Sequence, residues 1–496
     1  MRAVVAAALL GALLATTSPP GVAEGKPPTG QTRPRLHLET CSLPGIERVR
    51  CGTFRVPENR SQPEKRSIDL NVVVLAAKSV ERAPDALFIL QGGPGQGATM
   101  LADFYAETFA ELRDARDIVL VDQRGTGASN PLACRLGGSK ADPGGYLGDM
   151  FPVDLVRECR AELEQRADLT QYTTSIAMVD LDELRAALGY ERIDLYGTSY
   201  GTRAALVYLR AHPERVRAMI LKGVVPMSVV IPVPFAEDSQ RALDLLFEDC
   251  AADAACAEAY PRLRAEFASV VEGLRRRPLR IPVEREGGTP VEHDLALGTF
   301  ASVVRSLLQA TSTSKDLPLI IHDAAQGNWT PFTRIAVALR AQAASGLQTG
   351  MLFSVACTED APFIDAARGA RQESATFLGD YWTRSLLAAC REWPHGSLPE
   401  DYRRAVPSDV PVLLVSGHLD PATPPRWAEE AARSLPNSRQ IVVRYGSHSF
   451  SGLAGCVDRI MTDFIERGSA RGLDDSCVST IRRPPFTLSS GAAAPN

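Results

Sequence analysis

Short apolar runs, separated by helix-like stretches, recur through the first half of the chain and return near its C-terminus. Runs this short are typical of parallel strands that are buried on both faces of a sheet. Their alternation with helical segments predicts an α/β fold with right-handed crossovers. The strands are predicted at 67–75, 86–90, 118–121, 193–196, 218–221 and 412–415.

A different pattern interrupts the predicted sheet. Between about residues 227 and 405 the sequence has helix-like stretches with proline-bounded connections and no clear strand alternation. Because strand-like residues resume at 410–416, we expect a helical cap inserted into the sheet domain. The expected boundaries are a core of 36–226 and 406–482, a cap of 227–405, a flexible leader of 24–35 and a flexible tail of 483–496.

The first residues predict export. Arg2 precedes an apolar run from Ala3 to Leu14, and small residues follow up to Ala23, which together have the three regions of a secretory signal peptide spanning 1–23. No later apolar run has the length of a transmembrane helix, and no cysteine near the expected cleavage site could be lipidated. We therefore expect a secreted or periplasmic protein without a membrane anchor.

Composition and charge narrow the possible function classes. The 496 residues include 54 Lys and Arg against 59 Asp and Glu, a net charge of −5 whose signs are scattered along the chain. A hydrophobic fraction of 45% is enough for a large core. Nucleic-acid binding needs a basic surface, and the sequence has no long basic block to form one. We expect a globular protein with no nucleic-acid partner.

Ten cysteines, an even number, lie downstream of the expected cleavage site, and in an exported chain this indicates disulfides. Metal binding is the alternative, but no Cys-x-x-Cys or His-rich cluster has zinc-like spacing. Counting alone cannot choose the connectivity, yet the cysteines form sequence-adjacent pairs and we predict that they bond in that order. The pairs are Cys41–Cys51, Cys134–Cys159, Cys250–Cys256, Cys357–Cys390 and Cys456–Cys477.

A Gly-x-Ser-x-Gly sequence, from Gly197 to Gly201, follows the strand predicted at 193–196 and precedes a helix. In this context a sharp turn exposes the serine hydroxyl above the sheet, and the helix N-terminus faces developing negative charge. An ordinary glycine-rich turn is the alternative interpretation. The context makes Ser199 the candidate nucleophile.

A serine nucleophile needs a general base and an acid that orients the base. His448 follows a strand-like run and lies among small residues, and Asp420 comes just after the carboxyl end of the strand predicted at 412–415. The order Ser199, Asp420, His448 is that of the α/β-hydrolase triad.

The tetrahedral intermediate of acyl transfer also needs two hydrogen-bond donors for its oxyanion. The backbone N–H of Tyr200, directly after the candidate nucleophile, is one candidate. Gly93, in the glycine-rich loop that follows the strand predicted at 86–90, supplies the other. A simple tight turn is the alternative for that loop.

Two loops resemble those of a known peptidase family. Gln91–Gly95 resembles the His-Gly-Gly-Pro-Gly loop of proline iminopeptidases, and Asp122–Ser129 resembles the Asp-Gln-Arg-Gly motif that follows it there. With the candidate triad, the signal peptide and the stretch 410–477, these loops resemble the secreted tripeptidyl aminopeptidases. The resemblance covers nearly all of the mature chain. Gln91 replaces the family's histidine, a change that leaves the oxyanion backbone intact.

The resemblance implies an α/β-hydrolase fold with a helical cap over the site, and hydrolysis of peptides with a free N-terminus. No metal or organic cofactor is expected. We expect Asp122 and Arg124 to support the active-site loop rather than to contact substrate. A carboxylesterase with the same triad, or a binding protein of the same fold without turnover, are the rival functions. Subsite preference and oligomeric state are left open.

An aminopeptidase must hold the protonated amine of its substrate, which calls for a buried carboxylate. Glu359 and Asp360 in the predicted cap are the candidates, because iminopeptidases use cap glutamates for this purpose and a disulfide from Cys357 would fix their position. Helix capping or exposure to solvent is the alternative for this pair.

Overall fold

The computed structural model describes residues 35–285, 288–365, 375–451, 453 and 455–489, so the predicted signal peptide and nearly all of the leader lie outside the described residues. The strands are β1 (Leu36–Leu43), β2 (Ile46–Pro57), β3 (Ser67–Leu75), β4 (Ala86–Leu90), β5 (Asp117–Val121), β6 (Ile193–Thr198), β7 (Val216–Lys222), β8 (Leu279–Val283), β9 (Val291–Leu295), β10 (Val412–Gly417) and β11 (Ser438–Val443). The helices are α1 (Ala102–Thr108), α2 (Val153–Glu164), α3 (Thr174–Leu188), α4 (Tyr200–Ala211), α5 (Phe235–Ala252), α6 (Ala254–Ala259), α7 (Leu263–Arg276), α8 (Leu297–Leu308), α9 (Thr311–Ser314), α10 (Leu317–Ala325), α11 (Thr330–Gly346), α12 (Thr349–Glu359), α13 (Tyr381–Cys390), α14 (Pro425–Ala432) and α15 (Cys456–Arg467). None of these helices has the length and apolar character needed to cross a lipid bilayer.

The larger sheet of the described chain has nine strands in the order β1-β2-β3-β5-β4-β6-β7-β10-β11. The strands from β5 to β11 in this order pair in parallel, whereas β1, β2 and β3 add an antiparallel edge. Every strand predicted from an apolar run belongs to this sheet, so the predicted α/β fold is confirmed. The sequence analysis missed β1 and β2 at the edge of the sheet. No residue of β1 is buried, and in β2 only Val49, Phe54 and Val56 are, so neither strand has a continuous apolar run.

The central strand β4 is apolar and buried at every position because both faces of the sheet are covered. Along β4, Phe88 and Leu90 pack with α3, α4 and α14 on one face, while Leu87 and Ile89 pack with α1 and α15 on the other. This two-sided burial is the physical origin of the continuous apolar runs in the sequence. It fixes the carboxyl ends of the parallel strands as one rigid edge.

The inserted segment has its own hydrophobic core, formed mainly by α5, α7, α8, α10 and α11. It also contains an antiparallel pair of strands, β8 and β9, which the sequence analysis did not predict. In β8 only Ile281 and Val283 are buried, so the apolar alternation is too short to be recognised as a strand in the sequence. A second cluster joins α2, from the first part of the chain, to α12 and α13.

The end of the chain differs from the flexible tail expected from 483 onward. Arg483 donates to Asp249 at 3.0 Å and to Ser314 Oγ at 3.1 Å, and Phe486 is buried against the cap. An arginine and an aromatic side chain thus give 483–487 contacts with the cap that the expected flexible tail did not include. Residues 490–496 lie outside the described residues.

All five predicted cysteine pairs are disulfides in the structure. Cys41–Cys51 joins the edge strands β1 and β2, and Cys357–Cys390 joins α12 to α13. Sequential pairing succeeds because each bond connects neighbouring elements of the chain.

Two of these disulfides are a matched pair for a stability test, because all four sulfurs belong to buried residues while the closed loops differ in length. Cys357 and Cys390 are 33 residues apart, whereas Cys250 and Cys256 are 6 apart. The chain-entropy relation predicts that replacing the first pair by alanine lowers the free energy of unfolding by about 3.7 kcal/mol, and the second pair by about 2.2 kcal/mol. Urea denaturation measures both losses, and a larger loss for the short loop would contradict the prediction.

Candidate active site

Ser199 occupies a sharp turn between β6 and α4, with φ at 54° and ψ at −125°. Non-glycine residues rarely adopt this positive φ, so the turn is strained. Its two glycines allow three backbone segments to meet: a Cβ on Gly201 would lie 1.9 Å from the carbonyl oxygen of Leu90, and one on Gly197 would lie 2.6 Å from the carbonyl oxygen of Gly201. The Gly-x-Ser-x-Gly sequence is therefore a steric requirement of this turn.

The loop that follows β4 packs against Ser199. A Cβ on Gly92 would lie 3.1 Å from Ser199 Cβ and 3.6 Å from Ser199 Oγ. The next residue, Gly93, has φ at 115°, in the region that favours glycine. No described group accepts a hydrogen bond from the N–H of Gly93 or from that of Tyr200, the first residue of α4. Both candidate oxyanion donors therefore lack an acceptor within the described chain. Gly93 directly follows the glycine that packs on the serine side chain, and Tyr200 directly follows the serine.

Asp420 and His448 follow β10 and β11 and contact each other, with His448 Nδ1 2.9 Å from Asp420 Oδ2. Asp420 is fully buried, and its Oδ1 accepts the N–H groups of Ala422 at 2.7 Å and Thr423 at 2.9 Å. Burial alone would raise the pKa of Asp420, but the His448 charge and the hydrogen bonds from His448 and Thr423 lower it to about 2. The carboxylate is therefore ionised at neutral pH and orients the histidine ring.

The histidine ring and the serine turn lie at the same edge of the sheet. The ring is next to Gly223, where a Cβ would lie 3.4 Å from His448 Cε1. The preceding residue, Lys222, accepts the N–H of Ser199 through its carbonyl oxygen at 2.9 Å. The end of β7 therefore contacts both candidate residues. The three predicted triad residues come from loops at the carboxyl ends of β6, β10 and β11, where α/β sheets place their sites.

The cap helix α8 ends on the loop that carries His448. Ser447 Oγ donates to the carbonyl oxygen of Leu308 at 2.6 Å, and Ser449 N–H donates to the carbonyl oxygen of Gln309 at 2.7 Å. Both sequence neighbours of the histidine are thus anchored to the cap. No local sequence pattern indicates these contacts, because they join residues about 140 positions apart.

A cavity of about 210 Å³ lies beside the candidate oxyanion loop, and its lining is mostly apolar. Leu347 is part of the lining, and its Cδ1 would lie 3.1 Å from a Cβ on Gly93. Gln348 N–H donates to the carbonyl oxygen of Gly95 at 2.9 Å, which fixes the start of α12 against that loop. Other cap residues such as Trp382 are also part of the lining, and residues between 134 and 151 complete it. The cavity therefore lies between the cap and this earlier segment, and Leu347 connects it to the candidate oxyanion loop.

Asp122 and Arg124 have the supporting contacts expected of them. Asp122 accepts the N–H of Thr99 at 2.9 Å and that of Ala128 at 3.0 Å, and so ties together the segments that follow β4 and β5. Arg124 is fully buried and forms a bidentate pair with Asp180, at 2.6 and 2.9 Å. Neither side chain is open to a substrate.

Glu359, the last residue of α12, is fully buried and bonded to protein groups. Its Oε1 accepts the N–H of Thr174 at 2.7 Å, and its Oε2 accepts the hydroxyls of Thr174 at 2.8 Å and of Tyr402. Burial raises the pKa of this carboxyl against the opposing effect of its hydrogen bonds. The Thr174 hydroxyl also lies 2.7 Å from the hydroxyl of Tyr200, so Glu359 helps to fix the residue next to Ser199.

Asp360 is occupied in a similar way. Its Oδ2 accepts from Arg203 at 2.8 Å, and its Oδ1 accepts from Arg403 at 3.1 Å and from the N–H of Ile231 at 3.0 Å. The expectation that Glu359 and Asp360 hold a substrate ammonium is therefore corrected, because both carboxylates are buried and their oxygens already accept protein hydrogen bonds. Within the described part of the chain, no three His, Cys, Asp or Glu side chains are grouped as metal ligands would be.

Two family models match the chain. The model described as alpha/beta hydrolase fold matches residues 85–259, and the model described as TAP-like protein matches residues 375–477. Each covers one part of the sheet domain and an adjoining part of the cap. The first match therefore includes the serine turn and the second includes Asp420 and His448.

Known proteins are similar over most of the chain. A tripeptidyl aminopeptidase of Streptomyces coelicolor is 26% identical over 471 residues, which cover 87% of this chain and 83% of the relative. Serine protease Hip1 of Mycobacterium tuberculosis is 26% identical over 460 residues, which cover 84% of this chain and 85% of the relative. The crystal structure of a proline iminopeptidase from Mycobacterium smegmatis matches with 16% identity and a TM-score of 0.40, covering 84% of this chain and 98% of that one. The family-model matches and the long alignments show that this chain is a hydrolase of the α/β-hydrolase fold and belongs to the serine peptidase family that includes the tripeptidyl aminopeptidases.

Proposed function

We propose that the protein is a serine aminopeptidase that hydrolyses peptide bonds near a free N-terminus through an acyl-enzyme. The observation that carries this proposal is the His448–Asp420 pair at the same sheet edge as the strained Ser199 turn. The relatives named tripeptidyl aminopeptidase and serine protease support a peptide as the substrate.

In the proposed mechanism Ser199 Oγ attacks the scissile carbonyl carbon while His448 takes the hydroxyl proton. The oxyanion of the tetrahedral intermediate accepts hydrogen bonds from the N–H groups of Gly93 and Tyr200, each of which lowers the barrier by about 3 to 4 kcal/mol. His448 then gives its proton to the leaving amine, and the C–N bond breaks. A water molecule deprotonated by His448 hydrolyses the ester on Ser199 and releases the N-terminal fragment. Asp420 stays ionised and stabilises the imidazolium at both steps.

The contacts between the cap and the site support an exopeptidase. The cap is bonded both to the loop of His448 and to the loop of Gly93, and the cavity that Leu347 connects to the second loop has a volume of only about 210 Å³. A site that is partly covered in this way accommodates the end of a peptide more readily than the middle of a folded chain. We propose that the apolar cavity receives side chains on the N-terminal side of the scissile bond.

We also propose that the protein is exported, and the five disulfides support this because such bonds persist in oxidising compartments. Carboxylesterase activity is the second candidate function. The occupied carboxylates of Glu359 and Asp360 favour it, because neither is available to bind the N-terminal ammonium that an aminopeptidase recognises in its substrate.

The nucleophile can be tested with a fluorophosphonate probe, which reacts with activated serines. We expect the wild type to be labelled, and Ser199→Ala to lose labelling and to lower kcat for peptides by about 10⁶-fold. Ser354→Ala is the control, since this buried serine hydroxyl accepts a hydrogen bond from Trp393 within the cap. Labelling that survives in Ser199→Ala would refute the proposed triad.

Asp420 should contribute to stability in a pH-dependent way. Its folded pKa of about 2 lies below the ordinary value of 3.8, so its contribution is complete above about pH 4 and is lost as the pH falls toward 2. The shift corresponds to about 2 kcal/mol. Between pH 4.5 and pH 2 the wild type should therefore lose about 2 kcal/mol more free energy of unfolding than Asp420→Asn, as measured by urea denaturation.

The control for this measurement is Asp409→Asn, since Asp409 is exposed and precedes the same strand. It should follow the wild type. If Asp420→Asn lost as much stability on acidification as the wild type, the ionised Asp420–His448 pair would not be the source of the acid sensitivity.

Peptides that differ only in N-terminal acetylation separate the two candidate functions. Acetylation should lower kcat/KM of the wild type by about 10- to 150-fold, because it removes the charged hydrogen bonds of the ammonium. Glu359→Gln should lower kcat/KM for free and acetylated peptides by the same factor, since this carboxylate binds Thr174 and Tyr402 rather than substrate.

Glu258→Gln, an exposed position on α6, is the control and should leave both rates unchanged. Equal wild-type hydrolysis of free and acetylated peptides would favour the carboxylesterase. If Glu359→Gln lowered kcat/KM only for peptides with a free amine, Glu359 would have to bind the substrate ammonium.

A further inference from the structure

Arg305 on α8 is a buried cation without a hydrogen-bond partner. Only 3% of the residue is exposed, and its Cζ lies 4.1 Å from the ring centre of Phe235 and 4.8 Å from that of Trp382. Its Nε is sealed from solvent and has no acceptor among the described residues. The ring faces stabilise the positive charge, but they leave the in-plane N–H groups of the guanidinium unsatisfied.

Other arginines around the site differ from Arg305 in this respect. Arg124 and Arg203 are fully buried, and each is paired with an aspartate. Arg340, which lines the cavity, donates to the carbonyl oxygens of Tyr146 at 3.0 Å and of Gly148 at 3.3 Å. A buried charge is normally retained only when it is paired and hydrogen-bonded. The missing partner of Arg305 is therefore an anomaly within this structure.

The location of Arg305 indicates what the partner could be. Ser302, one turn before Arg305 on α8, and Ser306, the residue directly after it, line the cavity, and so does Trp382, whose ring the guanidinium contacts. The same helix ends on the loop of His448. Arg305 is thus close to both the cavity and the candidate triad.

The negative charges nearest to Arg305 are already used. Asp420 and Asp238 both act on its guanidinium, but neither forms an ion pair with it. Asp420 accepts from His448, and Asp238 accepts from Arg426 at 2.6 Å. Burial lowers the pKa of Arg305 to about 10, so the group remains charged at neutral pH. A charged donor with free N–H groups remains for an anion that the protein itself does not provide.

We propose that Arg305 binds a carboxylate of the substrate, so that the enzyme prefers peptides that carry a carboxylate close to the scissile bond. This inference rests on the proposed peptidase function. The planar fork of a guanidinium matches a carboxylate with two parallel hydrogen bonds. Either an aspartate or glutamate side chain or the C-terminal carboxylate of a short peptide has this chemistry.

The test measures kcat/KM for matched peptides with a free N-terminus. One set exchanges Asp for Asn at one position at a time in C-terminally amidated peptides, and a second set compares a C-terminal acid with its amide in a neutral sequence. The wild type should prefer the carboxylate by about 10- to 150-fold in one set, and that set identifies the source. Arg305→Met should bring the ratio to about 1, and Arg305→Lys should retain part of the preference.

Arg340→Met is the matched control, because its guanidinium lies at the same cavity but is bonded to carbonyl oxygens. It should leave the carboxylate-to-neutral ratio unchanged, whatever its effect on the rate. Thermal unfolding shows whether Arg305→Met folds, and if it does not, the ratio in Arg305→Lys decides. A wild-type ratio near 1 in both sets, with neutral peptides still cleaved, would overturn the inference and leave the proposed function standing.

A binding experiment separates failure of the inference about Arg305 from failure of the proposed peptidase function. If no peptide is cleaved, the carboxylate peptides are used to protect Ser199 from fluorophosphonate labelling. Stronger protection by the acid than by its amide, lost in Arg305→Met, would support the anion site without peptidase activity. Equal protection by acid and amide would overturn it.

Discussion

The close approach of three backbone segments at Ser199 is the constraint on which the site depends. The end of β4, the end of β6 and the start of α4 meet there, so closely that a Cβ on Gly201 would lie 1.9 Å from the carbonyl oxygen of Leu90. The positive φ of Ser199 costs of order 1 to 3 kcal/mol, and strands buried on both faces can hold it in place. The same approach brings Gly92 against the serine side chain, and the N–H groups of Gly93 and Tyr200 have no acceptor among the described residues.

The cap is part of this arrangement as well as a cover over it. Its contacts with Ser447 and Ser449 fix the loop of His448 on one side, and the bond from Gln348 to Gly95 fixes the candidate oxyanion loop on the other. Glu359 adds a third connection, through Thr174 to the hydroxyl of Tyr200. Substitutions in the cap can therefore change catalysis by moving these loops, even where they touch no substrate.

The sequence predicts features that depend on local pattern. Continuous apolar runs indicate the strands buried on both faces, and the strand-turn-helix context of Ser199 and the strand-end positions of Asp420 and His448 indicate the candidate site. Features that depend on distant polar partners could not be predicted. Glu359 is bonded to Thr174, 185 residues away, and Arg305 lies in a mostly apolar helix without any local sign of its surroundings. The contacts of Arg483 with Asp249 and Ser314 could not be predicted either, because these partners are also distant in the sequence.

Hydrogen-bond satisfaction distinguishes structural charges from charges available to a ligand. Asp420 and Glu359 are both completely buried, and both oxygens of each carboxyl group accept hydrogen bonds from the protein. Arg305 is almost as buried, yet its guanidinium lies against two aromatic faces and forms no ion pair with a described residue. An apolar replacement would remove the desolvation cost, so the fold alone gives no reason for an arginine at this position. An anionic ligand that accepts hydrogen bonds from the guanidinium gives such a reason. The complex then regains the stabilisation that the buried charge loses with its hydration in the free protein.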